Sequence, residues 1–215
     1  MLNNDQKLVS VVIVDDHPVV IEGFKNVVNN GEQLVLKNWF TSALDFQVFM
    51  QAETADIVLL DITLPDGNGI QLCRELKQKQ PQIIVLAISN LSERSIIQQM
   101  LQSGANGYLL KTAEPADILS CIKRALAGEI VLSREVNSLF DLKALNEPAE
   151  IPELTKRERQ ILNLIAKGKK SAQIAEELFI SPLTVKTHRA TLLQKFETGN
   201  IVIAINKARI YGLLE

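Results

Sequence analysis

Cysteine is scarce in this chain. Cys73 and Cys121 are the two in 215 residues, far apart and without metal-ligand spacing. A disulfide framework and a structural zinc site are excluded. Both fall in helical patterns and are expected to be reduced, packed thiols. Long hydrophobic runs are also missing. No stretch approaches the roughly 20 apolar residues that cross a bilayer. Met1-Leu2-Asn3-Asn4-Asp5 lacks the basic-then-apolar build of a secretory signal. A cytoplasmic protein without a membrane partner is expected. There is no internal repeat and no low-complexity tract. What remains is ordinary globular composition, 47% hydrophobic, at a length that suits one or two domains.

Net charge is small, −2, but unevenly placed. Residues 1–150 carry 12 Lys+Arg against 19 Asp+Glu, a net of −7. Residues 151–215 carry 11 against 6, a net of +5. A basic tail on an acidic body is a footprint of nucleic-acid binding, although a solvated charge fluctuation would look the same.

The first part alternates strand and helix patterns. Apolar runs lie at 9–14, at 34–36 with Trp39-Phe40, and at 57–60, 83–88 and 108–110. Amphipathic segments lie between and after them, at about 18–29, 42–51, 69–79, 93–103 and 115–127. Five strand–helix pairs predict an α/β domain over 1–128, a doubly wound parallel sheet of (βα)5, flavodoxin-like type. Residues 129–151, with Pro148 and an acidic end, read as a linker, with a short helical piece near Ser138–Leu142. Residues 152–215 read as an all-α domain of four helices. Thr155-Lys156-Arg157-Glu158 has the spacing of a capping box. Ser181-Pro182 opens the third tail helix.

In the α/β part, charged residues follow three apolar runs. Asp15-Asp16 ends the first, Asp61 the third, and Lys111 the fifth. In a parallel sheet all four emerge at the carboxyl edge, where open α/β folds place their sites. Asp16 and Asp61 on neighbouring strands can share one Mg²⁺, with Asp15 as a direct or water-mediated ligand. Mn²⁺ suits the same oxygens. A carboxylate is also a nucleophile toward phosphorus. Lys111 can neutralise a phosphoryl oxygen, and Ser89 can donate a hydrogen bond to another. Taken singly, Asp61 would be an ordinary helix cap and Lys111 a solvated lysine.

Asp15-Asp16, Asp61 with Pro65 and Gly67, Ser89-Asn90 and Tyr108-Leu109-Leu110-Lys111 together resemble the receiver domain of two-component response regulators, over about the first 127 residues. The resemblance implies that Asp61 accepts a phosphoryl group from a phosphohistidine on a sensor histidine kinase. It implies an Mg²⁺ site at Asp15, Asp16, Asp61 and the Thr63 backbone carbonyl. It also implies that Ser89 and Tyr108 form the switch. Thr112 departs from the pattern, since many receivers carry proline after the lysine. A cis bond there is therefore not expected.

In the tail, Ile174, Ala175 and Leu178 form the inner face of one helix. Val185, Leu192 and Phe196 form that of the next, as in a helix-turn-helix. The outward face of the latter shows Leu183, Lys186, Thr187, Ala190 and Gln194. Arg189, His188 and Lys195 flank it, and Lys169 and Lys170 precede the helix before it. Lys186, Thr187, Arg189, Gln194, Lys195, Lys169 and Lys170 are the candidate DNA contacts. Leu154–Glu158, Ile174–Leu178 and Ile180–Arg189 resemble the LuxR-type helix-turn-helix. The whole chain thus resembles the NarL/FixJ class. That implies a transcription regulator of double-stranded DNA that dimerises when phosphorylated. It is not expected to be an enzyme beyond its own phosphorylation and dephosphorylation. Two alternatives are weaker. An aspartate-nucleophile phosphohydrolase would need an acid two residues after Asp61, where Thr63 stands. A vestigial receiver would have lost Asp16, Asp61 or Lys111, and none is lost.

Overall fold

In the computed structural model, which describes residues 8–139 and 151–214, a parallel sheet carries the acidic residues at one edge. The strands are β1 (Val9–Val14), β2 (Leu34–Phe40), β3 (Ile57–Asp61), β6 (Ile84–Ser89), β7 (Gly107–Leu110) and β8 (Val131–Leu132), and their order is β2-β1-β3-β6-β7-β8. A small antiparallel hairpin, β4 (Thr63–Leu64) with β5 (Gly67–Asn68), follows β3. The helices are α1 (Pro18–Asn29), α2 (Ala43–Ala52), α3 (Gly69–Lys79), α4 (Arg94–Gln102), α5 (Pro115–Leu126) and α6 (Arg134–Leu139). β1, β3 and β6 are buried on both faces, which explains their unbroken apolar runs. Val11, Ile13, Ile57 and Leu59 face a core shared with Phe24 and Val28 of α1 and Ile118 and Ile122 of α5.

Local chemistry sets the boundaries. Pro18 and Pro115 sit in the first turns of α1 and α5, where proline's fixed φ is helical and its missing N–H costs nothing. Ser42 Oγ accepts from Asp45 N at 3.1 Å to cap α2, and Asn68 Oδ1 accepts from Ile70 N at 2.9 Å to cap α3. β2 continues from Leu36 to Phe40 through a bulge. Val11 pairs with Leu36 and Val12 with Asn38, leaving Lys37 as the extra residue. Cys73 and Cys121 are buried and unbridged. No cis peptide occurs among the described residues.

One expectation needs correction. The linker read over 129–151 is not linker in its first part. Val131–Leu132 pair in parallel with Gly107 and Tyr108 as a sixth strand, and α6 follows with Val136 buried. The reason is hydrogen bonding. The outer edge of β7 carries carbonyls and amides that need partners. Val131 N donates to Asn106 O at 2.9 Å, and Ser133 N to Tyr108 O at 3.0 Å. The short helical piece begins earlier than expected, at Arg134. Residues 140–150, including Pro148, lie outside the described residues.

A second unit, Glu150–Glu215, holds α7 (Lys156–Ala166), α8 (Ser171–Glu177), α9 (Pro182–Lys195) and α10 (Ile201–Ile210). Its core joins Ile161, Leu162 and Ile165 of α7, Ile174 and Ala175 of α8, Val185 and Leu192 of α9, and Ala204 and Ala208 of α10. Both arms of the expected capping box are present. Glu158 N donates to Thr155 Oγ1 at 3.2 Å, and Thr155 N donates to Glu158 Oε2 at 2.8 Å. Ser181 Oγ accepts from Thr184 N at 3.0 Å to start α9 behind Pro182.

Candidate functional site

The strand order brings Asp15, Asp61 and Lys111 together. Lys111 Nζ lies 2.7 Å from Asp15 Oδ2 and 2.8 Å from Asp61 Oδ2. All three are nearly out of solvent, with side-chain exposures of 5% for the lysine and 0% and 2% for the aspartates. Asp61 Oδ1 accepts from Thr63 N at 3.1 Å. Burial pushes the Asp61 carboxyl up to about 6, against the lowering influence of Lys111. Burial disfavours the Lys111 charge too. There the attraction of Asp61 and Asp15 outweighs it, and Lys111 is held above its usual value.

Gly69 opens the way for this packing. A side chain there would place its Cβ 2.3 Å from the Asp61 carbonyl oxygen and 2.6 Å from Ile62 Cα. Only glycine fits that approach.

His17 completes the pocket and was not anticipated among the site residues. Its amide donates to Asp15 Oδ1 at 2.8 Å, and its Nδ1 lies 2.7 Å from Asp16 Oδ1. The only sequence signal was its place directly after Asp15-Asp16. Asp16 Oδ1 is enclosed yet has no well-directed hydrogen bond. Oxygens of Asp15, Asp16 and Asp61 and a nitrogen of His17 all lie within 4.8 Å of one another. Carboxylate oxygens gathered this closely fit a hard divalent cation.

The two expected switch residues meet at Leu91. Ser89 Oγ accepts from Leu91 N at 3.1 Å, and Tyr108 Oη donates to Leu91 O at 2.7 Å. Both side chains are buried. Ser89 is therefore not the cap of α4, which starts five residues later at Arg94.

On the second unit, Lys186, Thr187, Gln194 and Lys170 are exposed, and Arg189 is half-buried. Lys169 pairs with Glu177 at the surface. Lys195 requires a correction. Its Nζ donates to Glu158 Oε2 at 2.8 Å and to Glu153 O at 2.9 Å. It fastens the end of α9 to the α7 cap and is engaged there, not free on the flank of the helix. Sequence spacing put it on the flank of α9, but could not reveal a partner 37 residues away. Lys207 was missed as well: it is buried and donates to Phe196 O at 2.9 Å, closing the end of α9.

Comparison with known proteins places both halves. Residues 11–123 match the response regulator receiver domain, and residues 152–208 match the bacterial regulatory proteins of the luxR family. The nitrate/nitrite response regulator NarL of Escherichia coli K12 is 31% identical over 97% of this chain and 100% of its own length. VraR of Staphylococcus epidermidis is also 31% identical, over 96% of this chain and 99% of its own. Among solved structures, RcsB of Salmonella enterica serovar Typhimurium, bound to a promoter in the presence of a phosphomimetic, has the same fold. Its TM-score is 0.68 at 21% identity, covering 95% of this chain and 100% of that one. A receiver followed by a luxR-family helix-turn-helix, matched along nearly its whole length, makes this chain a DNA-binding two-component response regulator of the NarL/FixJ class.

Proposed function

We propose that this regulator is switched by phosphorylation of Asp61 from a sensor histidine kinase, and that the modified form dimerises on double-stranded DNA. The observation that carries the reading is the Lys111 bridge between Asp15 Oδ2 and Asp61 Oδ2, at 2.7 and 2.8 Å, on the carboxyl edge of the sheet.

In the transfer, a carboxylate oxygen of Asp61 forms a bond to phosphorus. The phosphorus–nitrogen bond of the donor phosphohistidine breaks, and its electron pair returns to the imidazole, which takes up a proton. Lys111 is placed to pair with the added phosphoryl group, because it already holds the Asp61 oxygen. Asp15, Asp16, Asp61 and the Thr63 carbonyl would hold Mg²⁺ or Mn²⁺. When bound, the cation supplies charge that offsets the repulsion between carboxylate and phosphoryl group. The chain acts catalytically only on its own phosphorylation and dephosphorylation.

Ser89 and Tyr108 carry the change onward. If Ser89 turns toward the phosphoryl group, the Leu91 amide loses its acceptor. The same residue holds the Tyr108 hydroxyl through its carbonyl, so the two ends of the switch meet at one residue. In the dimer, two α9 helices would enter the major groove about one DNA turn apart. The electropositive tail supports that placement.

Incubation with acetyl phosphate and Mg²⁺ should add one base-labile phosphate, and Asp61→Asn should abolish it. Labelling that survives in Asp61→Asn would overturn the assignment.

A further inference from the structure

Among Pro182–Lys195, α9 exposes Pro182, Leu183, Lys186, Thr187, Ala190 and Gln194. At about 100° per residue, Leu183, Thr187, Ala190 and Gln194 fall in one narrow strip, opposite the buried Val185 and Leu192. This strip is poor in groups that read bases by hydrogen bonds. Thr187 Oγ1 donates to the Leu183 carbonyl at 3.2 Å, which commits its proton to the helix backbone. Ala190 offers a methyl group. Lys186, one turn from Leu183 at the edge of the strip, and Gln194 remain as polar readers.

Leu183 is 73% exposed, in the first turn of α9. A lone exposed leucine needs no explanation. This one lies on the DNA-facing strip, at the helix end whose residues contact base edges in this motif. The major groove offers one apolar group to such a side chain, the C5-methyl of thymine.

We infer that Leu183 reads a thymine methyl in the major groove and sets specificity at that base pair. The inference rests on α9 being the recognition helix. Phe179, in the turn before α9 and 95% exposed, has a backbone φ of +53°. It lies off the strip and takes no part in the contact.

The test uses the full-length chain treated with acetyl phosphate and Mg²⁺. Duplexes selected by this protein from a random library are remade with uracil replacing one thymine at a time, which removes the methyl alone. At one thymine in each half-site, uracil should weaken binding about fourfold, the worth of one buried methyl-sized group. Leu183→Ala should bind the thymine and uracil duplexes equally at that position, and Leu183→Met should keep the preference. Because Leu183 is exposed, all variants should retain the parent's circular dichroism. Phe179→Ala should keep the full thymine preference.

The inference fails if Leu183→Ala retains every thymine preference of the parent, or if no position shows one. It fails also if Phe179→Ala removes the same preference, since the turn would then make the contact. If no duplex is selected at all, the recognition-helix reading falls together with it.

Discussion

Asp61 shows how burial of a single side chain can cost stability. Its carboxyl is pushed up to about 6 from an ordinary value of 3.8, chiefly by burial. Between those values the folded state binds more protons than the unfolded chain. Stability therefore falls as pH rises from about 3.8 to 6, by an amount on the order of 3 kcal/mol. A divalent cation at Asp15, Asp16 and Asp61 should offset this cost only when Asp61 is ionised. Millimolar Mg²⁺ is expected to raise the melting temperature of the receiver clearly at pH 7.5 and little at pH 4. Equal shifts at both pH values would mean that the cation binds elsewhere. Asp61→Asn, with no carboxylate to protonate, should lose most of the pH-dependent part of the Mg²⁺ effect.

At the scale of elements, α7 and α9 are tied by one ionic contact. Lys195 and the backbone N–H of Thr155 hold Glu158 below its usual 4.5, although burial opposes its charge. A depressed carboxylate stabilises the fold above the unfolded value and loses that contribution as pH falls through the folded one. The tail should therefore weaken as pH drops below about 4.5. Glu158→Gln should remove about 1 kcal/mol at pH 7, the scale of a helix cap, and should flatten the acid limb. Hydrogen exchange of the α7 amides measures both. Lys195→Ala should loosen the same amides. The cap was legible in the sequence because its two arms lie within one turn, Thr155 and Glu158. Lys195 was misread because its partners are distant along the chain, and helical spacing reports only a face. Lys207 was missed for the same reason, its partner Phe196 lying 11 residues away. His17 was missed although its partners Asp15 and Asp16 adjoin it, because a single histidine after an acidic pair carries no period to mark it. β8 escaped notice because Ile130-Val131-Leu132 is too short to show a period.

Over the whole molecule, charge is divided between the units, −7 in 1–150 and +5 in 151–215. DNA affinity should fall steeply with salt as counterions are released. The exposed Lys170 is expected to contact phosphate. Lys170→Ala should then lower the slope of log affinity against log salt by about 0.9 on all sequences alike. Lys195→Ala should leave that slope unchanged, because Lys195 is bound to Glu158. Binding titrations at two salt concentrations separate the two lysines. The two-unit plan was legible from the sequence. It rests on periodicity and on strand-end residues, Asp15, Asp16, Asp61 and Lys111, whose spacing survives any error in helix ends. The domain edge was not legible, since pairing between distant backbones leaves no local pattern.

The sixth strand bears on how this receiver can be cut and rejoined. β8 is hydrogen-bonded to Tyr108, and Ser133 Oγ accepts from Leu110 N at 3.3 Å, one residue before Lys111. A fragment ending at 128 would strip the outer edge of β7 and leave an unpaired strand, a template for aggregation. A fragment ending at 139 keeps the edge covered. The longer piece should run as a monomer on size exclusion without phosphodonor, while the shorter should aggregate or unfold. Chimaeras that graft another output module onto this receiver belong downstream of Leu139, because an insertion between Gly128 and Ser133 would slip the strand that borders the proposed phosphorylation site.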